Sequence, residues 1–218
     1  MIDLHIHTTL SDGELSPATA MRWAKAAGYR AIAFTDTSDA ATMPHILERL
    51  RPMVHSYSLH AGIELFAGIL LTHVPPALLP SAIAEARDRG AQIVSVYGQT
   101  LTAPVEEGSN LAAIEGGADI LCHPGLITEQ EASLAAERGV LLEISTQAGH
   151  AFANGHVATV ARRTNAPLVL GSGARGPAEF LSRDLRRAMA LGAGMTPEEF
   201  RAAEENARAM VFRLLQTT

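Results

Sequence analysis

At 218 residues, with 47% hydrophobic and 18% charged residues, the chain is long enough to bury one large core and has no disordered signature. Its formal net charge of −6 argues against nucleic acid or an anionic membrane surface as the main partner, and admits basic charge only as a local pocket. A lone cysteine, Cys122, excludes an internal disulfide and points to the cytoplasm, and no stretch approaches the ~20 apolar residues of a membrane span or the basic-apolar start of a signal peptide.

Short apolar runs alternate with helical patterns along the whole chain. The spacing predicts strands over 1–7, 30–36, 63–72, 91–97, 119–123, 139–145 and 167–172, each nearly all apolar, as in parallel strands covered on both faces. The first strand carries Asp3, His5 and His7, which simple alternation sets on one face. Ser16-Pro17 then opens a helix as N-cap and first-position proline, and Gly28 ends it. Asp36 closes the second strand. His45, His55 and His60 fall on the next helix or its exit and read as surface residues, and His73 ends the third strand beside two prolines. Cys122-His123 ends the fifth strand, and alternation turns Cys122 away from His123 towards a helix. Thr128 and Glu131 form a capping box for a helix that Gly139 closes. Glu143 interrupts the apolar sixth strand, either as a buried acid partnering His123 or as a structural ion pair. His150 and His156 flank Asn154, which reads as the N-cap of the next helix; the segment is a substrate loop or plain turn chemistry. Thr196-Pro197-Glu198-Glu199 opens the last helix.

Seven β-α units with no linker between them make one domain over 1–218 and favour a closed barrel of parallel strands, with a doubly wound open sheet as the second choice. In both architectures chemistry collects beyond the carboxyl ends of the strands. His5, His7, Asp36 and His123 lie at such ends. Asp12 lies in the loop after the first strand, where Gly13 permits a tight turn back into the mouth. Imidazole and carboxylate donors on separate strand ends suit a borderline divalent metal such as zinc, manganese or iron. There is no Ser-His-Asp or Cys-His nucleophile pattern and no phosphate-cradling lysine loop.

The segments D-L-H-I-H at 3–7, S-D-G at 11–13 and F-T-D at 34–36 resemble the opening motifs of the PHP (polymerase and histidinol phosphatase) superfamily. THVPP at 72–76, APVEEGSN at 103–110, DILCHPGLIT at 119–128 and NGHV at 154–157 extend the likeness, which is nearer to a branch of uncharacterised prokaryotic PHP proteins than to the histidinol phosphatases. The resemblance implies a distorted (β/α)7 TIM-like barrel, the PHP fold, and phosphoester hydrolysis by up to three metal ions. It assigns His5 and His7 to the first metal, His123 to the second and Asp12 to the third.

The chain departs from that pattern at several strand ends. Thr37 stands where the family has histidine, Leu70 where it has the metal-bridging glutamate, Gln99 where it has the glutamate of H-G-E-T, and Gly173 and Arg175 where it has D-x-H. Glu64, from another G-x-E, is a candidate replacement, but the register set by Leu71-Thr72-His73 puts it two pleats below the mouth. A catalytic zinc ordinarily keeps three protein ligands, and a metal pair needs a bridging carboxylate, so the expectation is one divalent metal, weakly bound or absent. Arg175 adds a permanent cation whose fork suits phosphate or carboxylate, unless it turns to solvent and pairs with Glu179. With His150 and His156 it makes a candidate site for a small anionic ligand. Three readings stay open. One is a divergent barrel that binds such a ligand with impaired or lost hydrolysis. Another is an active phosphoesterase using one or two metals. The third is a structural or partner-binding pseudoenzyme. The sequence leaves oligomeric state and ligand identity undetermined.

Overall fold

In the computed structural model, which describes residues 1–216, seven parallel strands pair in chain order: β1 (Ile2–Ile6), β2 (Ala31–Ser38), β3 (Glu64–Leu71), β4 (Ile93–Tyr97), β5 (Ile120–Cys122), β6 (Leu141–Ser145) and β7 (Leu168–Gly171). Helices α1 (Pro17–Ala26), α2 (Met43–Ala61), α3 (Leu79–Asp88), α4 (Ser109–Glu115), α5 (Glu129–Arg138), α6 (Asn154–Thr164) and α7 (Arg183–Gly192) follow the strands one by one, and α8 (Pro197–Gln216) ends the described chain. The sheet is a nearly closed TIM-like barrel, not an open doubly wound sheet.

Local chemistry explains the helix ends. The Ser16 hydroxyl accepts from Thr19 N ahead of Pro17, and Thr128 and Glu131 make the full reciprocal box ahead of α5. At α8, Glu199 N donates to Thr196 Oγ1 at 3.2 Å while Thr196 N donates to Glu199 Oε2 at 2.7 Å. Among the described residues, no helix is long and apolar enough to cross a membrane.

Two apolar layers hold the barrel. Outward residues such as Phe34, Ile69 and Val94 pack beneath the surrounding helices. Inward residues, among them Leu4, Ala33, Phe66, Ile93 and Val169, fill the interior, and Ala207, Met210, Val211 and Leu214 of α8 pack onto them from the amino-terminal end. Each such side chain, fully buried, contributes roughly 1.5–3 kcal/mol. The amino-terminal end is thus a packed floor, and the carboxyl ends of the strands are left to build a site.

The seam between β1 and β7 has only one bridge, Ile6 to Ala174, with His7 N donating to Ala174 O at 2.9 Å. Arg186 of α7, 1% exposed, completes it. Its guanidinium donates to Ile2 O at 3.0 Å, Leu170 O at 3.4 Å, Asp3 Oδ2 at 3.2 Å and Glu204 Oε1 at 3.3 Å. Both strands therefore hang on one buried cation.

Two expectations from simple alternation need correction, and one from the strand register stands. The β1–β2 register slips by one residue between Asp3 and Ile6, so Asp3 faces the seam and accepts from Ser172 N and Arg186 instead of joining His5 and His7. Cys122 packs in the barrel interior with Leu4, Phe66 and Leu70, not beneath a helix. The cause is His123, whose φ of 50° breaks the pleat and lets consecutive residues both turn inward. Glu64 opens β3 at the opposite end of the barrel and is exposed, so it does not replace the missing bridging glutamate.

Candidate metal centre

Four imidazoles meet at the carboxyl end of the barrel. His5 and His7 come from β1 and the residue after it, His123 from the residue after β5, and His150 from the loop after β6. Ring centroids are 4.9 Å apart for His5–His7, 5.2 Å for His5–His123 and 3.9 Å for His123–His150, the last pair stacked at 15°. Glu143 rises from β6 beneath them, 1% exposed. Its Oε1 accepts from His5 Nδ1 at 2.6 Å, and its Oε2 lies 3.1 Å from His123 Nδ1. That second contact is close enough for an ion pair but not aligned as a hydrogen bond, so His123 Nδ1 is a buried nitrogen with no hydrogen-bond partner. One donor atom from each of His5, His123 and Glu143 falls within a 4.8 Å cluster.

Proton accounting makes the centre more specific. His7 Nδ1 lies 2.9 Å from Asp12 Oδ1 and hydrogen-bonds with Thr37 Oγ1 at 3.1 Å. His5 Nδ1 carries the proton that Glu143 accepts, so its Nε2 is a lone pair in the neutral ring, and it faces His7 Nε2 at 2.9 Å. His7 Nε2 donates to it when Nδ1 accepts from Thr37; with the proton on His7 Nδ1, two lone pairs face each other and a cation fits between them.

The charges fit a cation. Burial works against ionisation of Glu143, but the His5 and His123 imidazoles outweigh it and hold the carboxyl well below its usual range. Burial lowers His123 despite Glu143, and lowers His7 and His150 to about 4 each. Neutral imidazoles beside a carboxylate are ligands in their binding form. For the metal-free protein in chelator, the folded state keeps His7 neutral down to about pH 4, whereas an unfolded imidazole protonates near 6.5. The unfolded chain therefore binds more protons in that window, and stability is expected to fall on acidification from 6.5 to 4. The expected loss, on the order of 3 kcal/mol, is measured by urea unfolding at stepped pH. A flat profile would place His7 in contact with solvent.

The rim is organised by Asp36 and Arg175. Asp36, at the mouth end of β2, accepts from Thr8 N at 2.7 Å and from the Ser11 hydroxyl at 2.6 Å, anchoring the loop that carries Asp12. The Arg175 guanidinium grips Asp12 Oδ2 at 2.9 and 2.8 Å and the Gly173 carbonyl at 3.1 Å, while Arg175 N, not the side chain, donates to Glu179. Burial pushes Asp12 upward, but His7 and Arg175 outweigh it and keep it below the usual carboxylate range.

His150 Nδ1 pairs with Thr100 Oγ1 at 2.7 Å, and its Nε2 lies 3.3 Å from the Tyr97 hydroxyl. His156 turns away from this group and donates to Ile127 O at 2.7 Å. Asn154 caps no helix: its amide donates to Ser145 O and accepts from Ser145 N, and Ala153 stands at the N-cap. Thus His5, His7, His123 and His150 gather with Asp12 and Arg175 above them, Asp36 acts one layer behind, and His156 lies apart. His45, His55 and His60 are exposed on α2, as expected.

Sequence reasoning placed Glu143 at the margin, although a lone acid in a two-sided apolar strand already required a buried partner. The donor set fits one ion. Leu70, packed in the interior, and Thr37, Gln99, Gly173 and Arg175 stand where the PHP pattern has further donors.

Fold and rim together define a parallel (β/α) barrel with a carboxylate-centred histidine cluster at the carboxyl ends of its strands. The PHP domain matches residues 3–102. An uncharacterized protein of Methanocaldococcus jannaschii is 36% identical over 199 residues, covering 90% of this chain and 91% of the relative. The chain belongs to the PHP-domain family. Among solved structures, archaeal ribonuclease P with mature tRNA contains a similar chain at 18% identity and a TM-score of 0.67, covering 97% of this chain and 92% of that one. A. niger ochratoxinase follows at 15% identity and a TM-score of 0.63, covering 97% and 71%. At such identities these likenesses concern the fold alone.

Proposed function

We propose that this chain is a PHP barrel that holds one divalent ion of the zinc, manganese or iron kind at His5, His123 and Glu143, with His7 adjoining. Beside that ion it takes a small phosphate- or carboxylate-bearing ligand and hydrolyses phosphoesters weakly. The observation that carries the reading is the buried cluster of one donor atom each from His5, His123 and Glu143 within 4.8 Å, in which His123 Nδ1 has no hydrogen-bond partner, an arrangement that a cation satisfies. Bound there, a metal ion supplies Lewis acidity towards a phosphoryl or carboxyl oxygen. The chain's own residues do the rest. Arg175 offers a fixed cation at the rim, steadied by Asp12, and His150 with Tyr97 forms the opposite wall. The near-complete burial of His5, His123 and Glu143 keeps bulk water out. Leucine at position 70, in place of the PHP pattern's bridging glutamate, removes a ligand for a second ion and is the reason for weak hydrolysis.

Elemental analysis of protein purified without chelator is expected to give about one transition metal per chain, with slow, chelator-sensitive turnover of an aryl phosphate. Inorganic phosphate binding is expected to weaken ~10-fold or more in Arg175→Ala, as for a lost charge-assisted pair. Two or three ions per chain would overturn the single-site reading, and a chain that stays metal-free after loading would overturn the metal itself. That last outcome would support a second reading, a partner-binding pseudoenzyme, which is favoured by one observation: Leu70 fills the interior and Tyr97 packs against the same cluster.

A further inference from the structure

We infer that Gly171 is a positioning residue that seats Glu143 in the metal centre, and that positions 143 and 171 compete for one volume, so that only one of them can bring an acid to the histidines. The inference rests on the single-metal reading above. Glu143 pairs with Val169 across the β6–β7 ladder, and Gly171 pairs with Ser145 one step nearer the mouth. The Glu143 side chain climbs that step. A Cβ built on Gly171 would lie 1.8 Å from Glu143 Oε1, 2.8 Å from its Cδ and 3.1 Å from His5 Cβ. No real side chain tolerates the first of these contacts.

The backbone gives no other reason for glycine. Gly171 is absent from the left-handed positions that include Gly173, so an L residue fits its conformation; the neighbouring carboxylate excludes one, while His5 Cβ at 3.1 Å has only to give by a few tenths of an ångström. The colliding atom is the end of a side chain and not backbone, so a methyl at 171 evicts the carboxylate instead of breaking the strand. The evicted group has no comparable seat. It would leave its 2.6 Å contact with His5 and its 3.1 Å contact with His123, and both rings would lose their only buried anion. Conversely, with the Glu143 side chain removed, a carboxylate carried on position 171 starts from the vacated volume, against His5. The acid donor of this centre is thus transposable between adjacent strands.

The test uses the full chain, stripped by chelator and titrated with Co2+ by visible absorption, with circular dichroism and thermal unfolding in parallel. Gly171→Ala is expected to keep the wild-type helical spectrum and lose Co2+ affinity ~10–100-fold, the range seen when groups orienting metal ligands are removed. Glu143→Ala is expected to lose it as well, and the double variant Glu143→Ala with Gly171→Asp to regain most of it. Wild-type affinity and spectrum in Gly171→Ala, or a folded double variant no better than Glu143→Ala, would overturn the inference. A stability cycle tests the packing without metal: Gly171→Ala should destabilise the wild-type background and be near neutral in Glu143→Ala. Additive effects would refute the shared volume. A wild-type chain that takes up no Co2+ refutes the metal reading separately, and the cycle still decides on the volume.

Discussion

Glu143→Gln is expected to reduce metal content from about one per chain to a trace, with affinity lower by at least ~100-fold. The amide is nearly isosteric, so packing around it is preserved and the loss is electrostatic. Glu143 is the only carboxylate in the buried cluster, and it stays ionised because His5 and His123 flank it against the cost of burial. A neutral amide still accepts from His5 Nδ1 but turns an NH2 towards His123 Nδ1, and the centre is left with imidazoles alone. Metal analysis after dialysis against trace zinc measures the effect, and an unchanged far-UV spectrum shows that the barrel survives. Wild-type metal in Glu143→Gln would remove this residue from the centre and with it the reading of the site.

Arg186→Met is expected to cost ~3–5 kcal/mol, the penalty of leaving a buried charge without its partner. For a chain of this size that corresponds to a fall in Tm on the order of 10 °C. Methionine keeps much of the volume but none of the donors. Asp3, already pushed upward by burial and held down chiefly by Arg186, would have to protonate or pull water into the seam. Ile2 O and Leu170 O would lose donors on both sides of the one gap in the barrel. Combining Arg186→Met with Asp3→Leu is expected to recover more than half of the loss, because removing both charges avoids the orphaned one. Thermal unfolding by circular dichroism measures both variants. A shift of only a degree or two in Arg186→Met would show that the seam is closed by packing and not by this cation.

How much of the site was legible depended on whether a residue's role is local. His5, His7 and His123 could be picked out because strand ends are readable from apolar runs and imidazoles at strand ends are rare in cores. Arg175 was readable as a rim cation, but its partner was not: the guanidinium takes Asp12, which lies 163 positions away in the chain, and leaves Glu179 to the backbone amide. Arg186 carried no signal at all in RDLRRAM, where it looks like any exposed helical arginine. Asp3 misled because a bulge in β1 is a property of how two strands meet, not of either strand's pattern.

Seven strand-helix units, their parallel pairing, the capped helix starts and the residues that depart from the PHP pattern are all legible along the chain. These follow from apolar periodicity, capping chemistry and motif residues, all of which act over a few positions. Which donors converge depends on how the strands pack. The bulge that turns Asp3 away, the left-handed backbone at His123, and the climb of Glu143 into the space above Gly171 all arise where separate strands meet. A period read along one strand cannot report the volume that its neighbour leaves free.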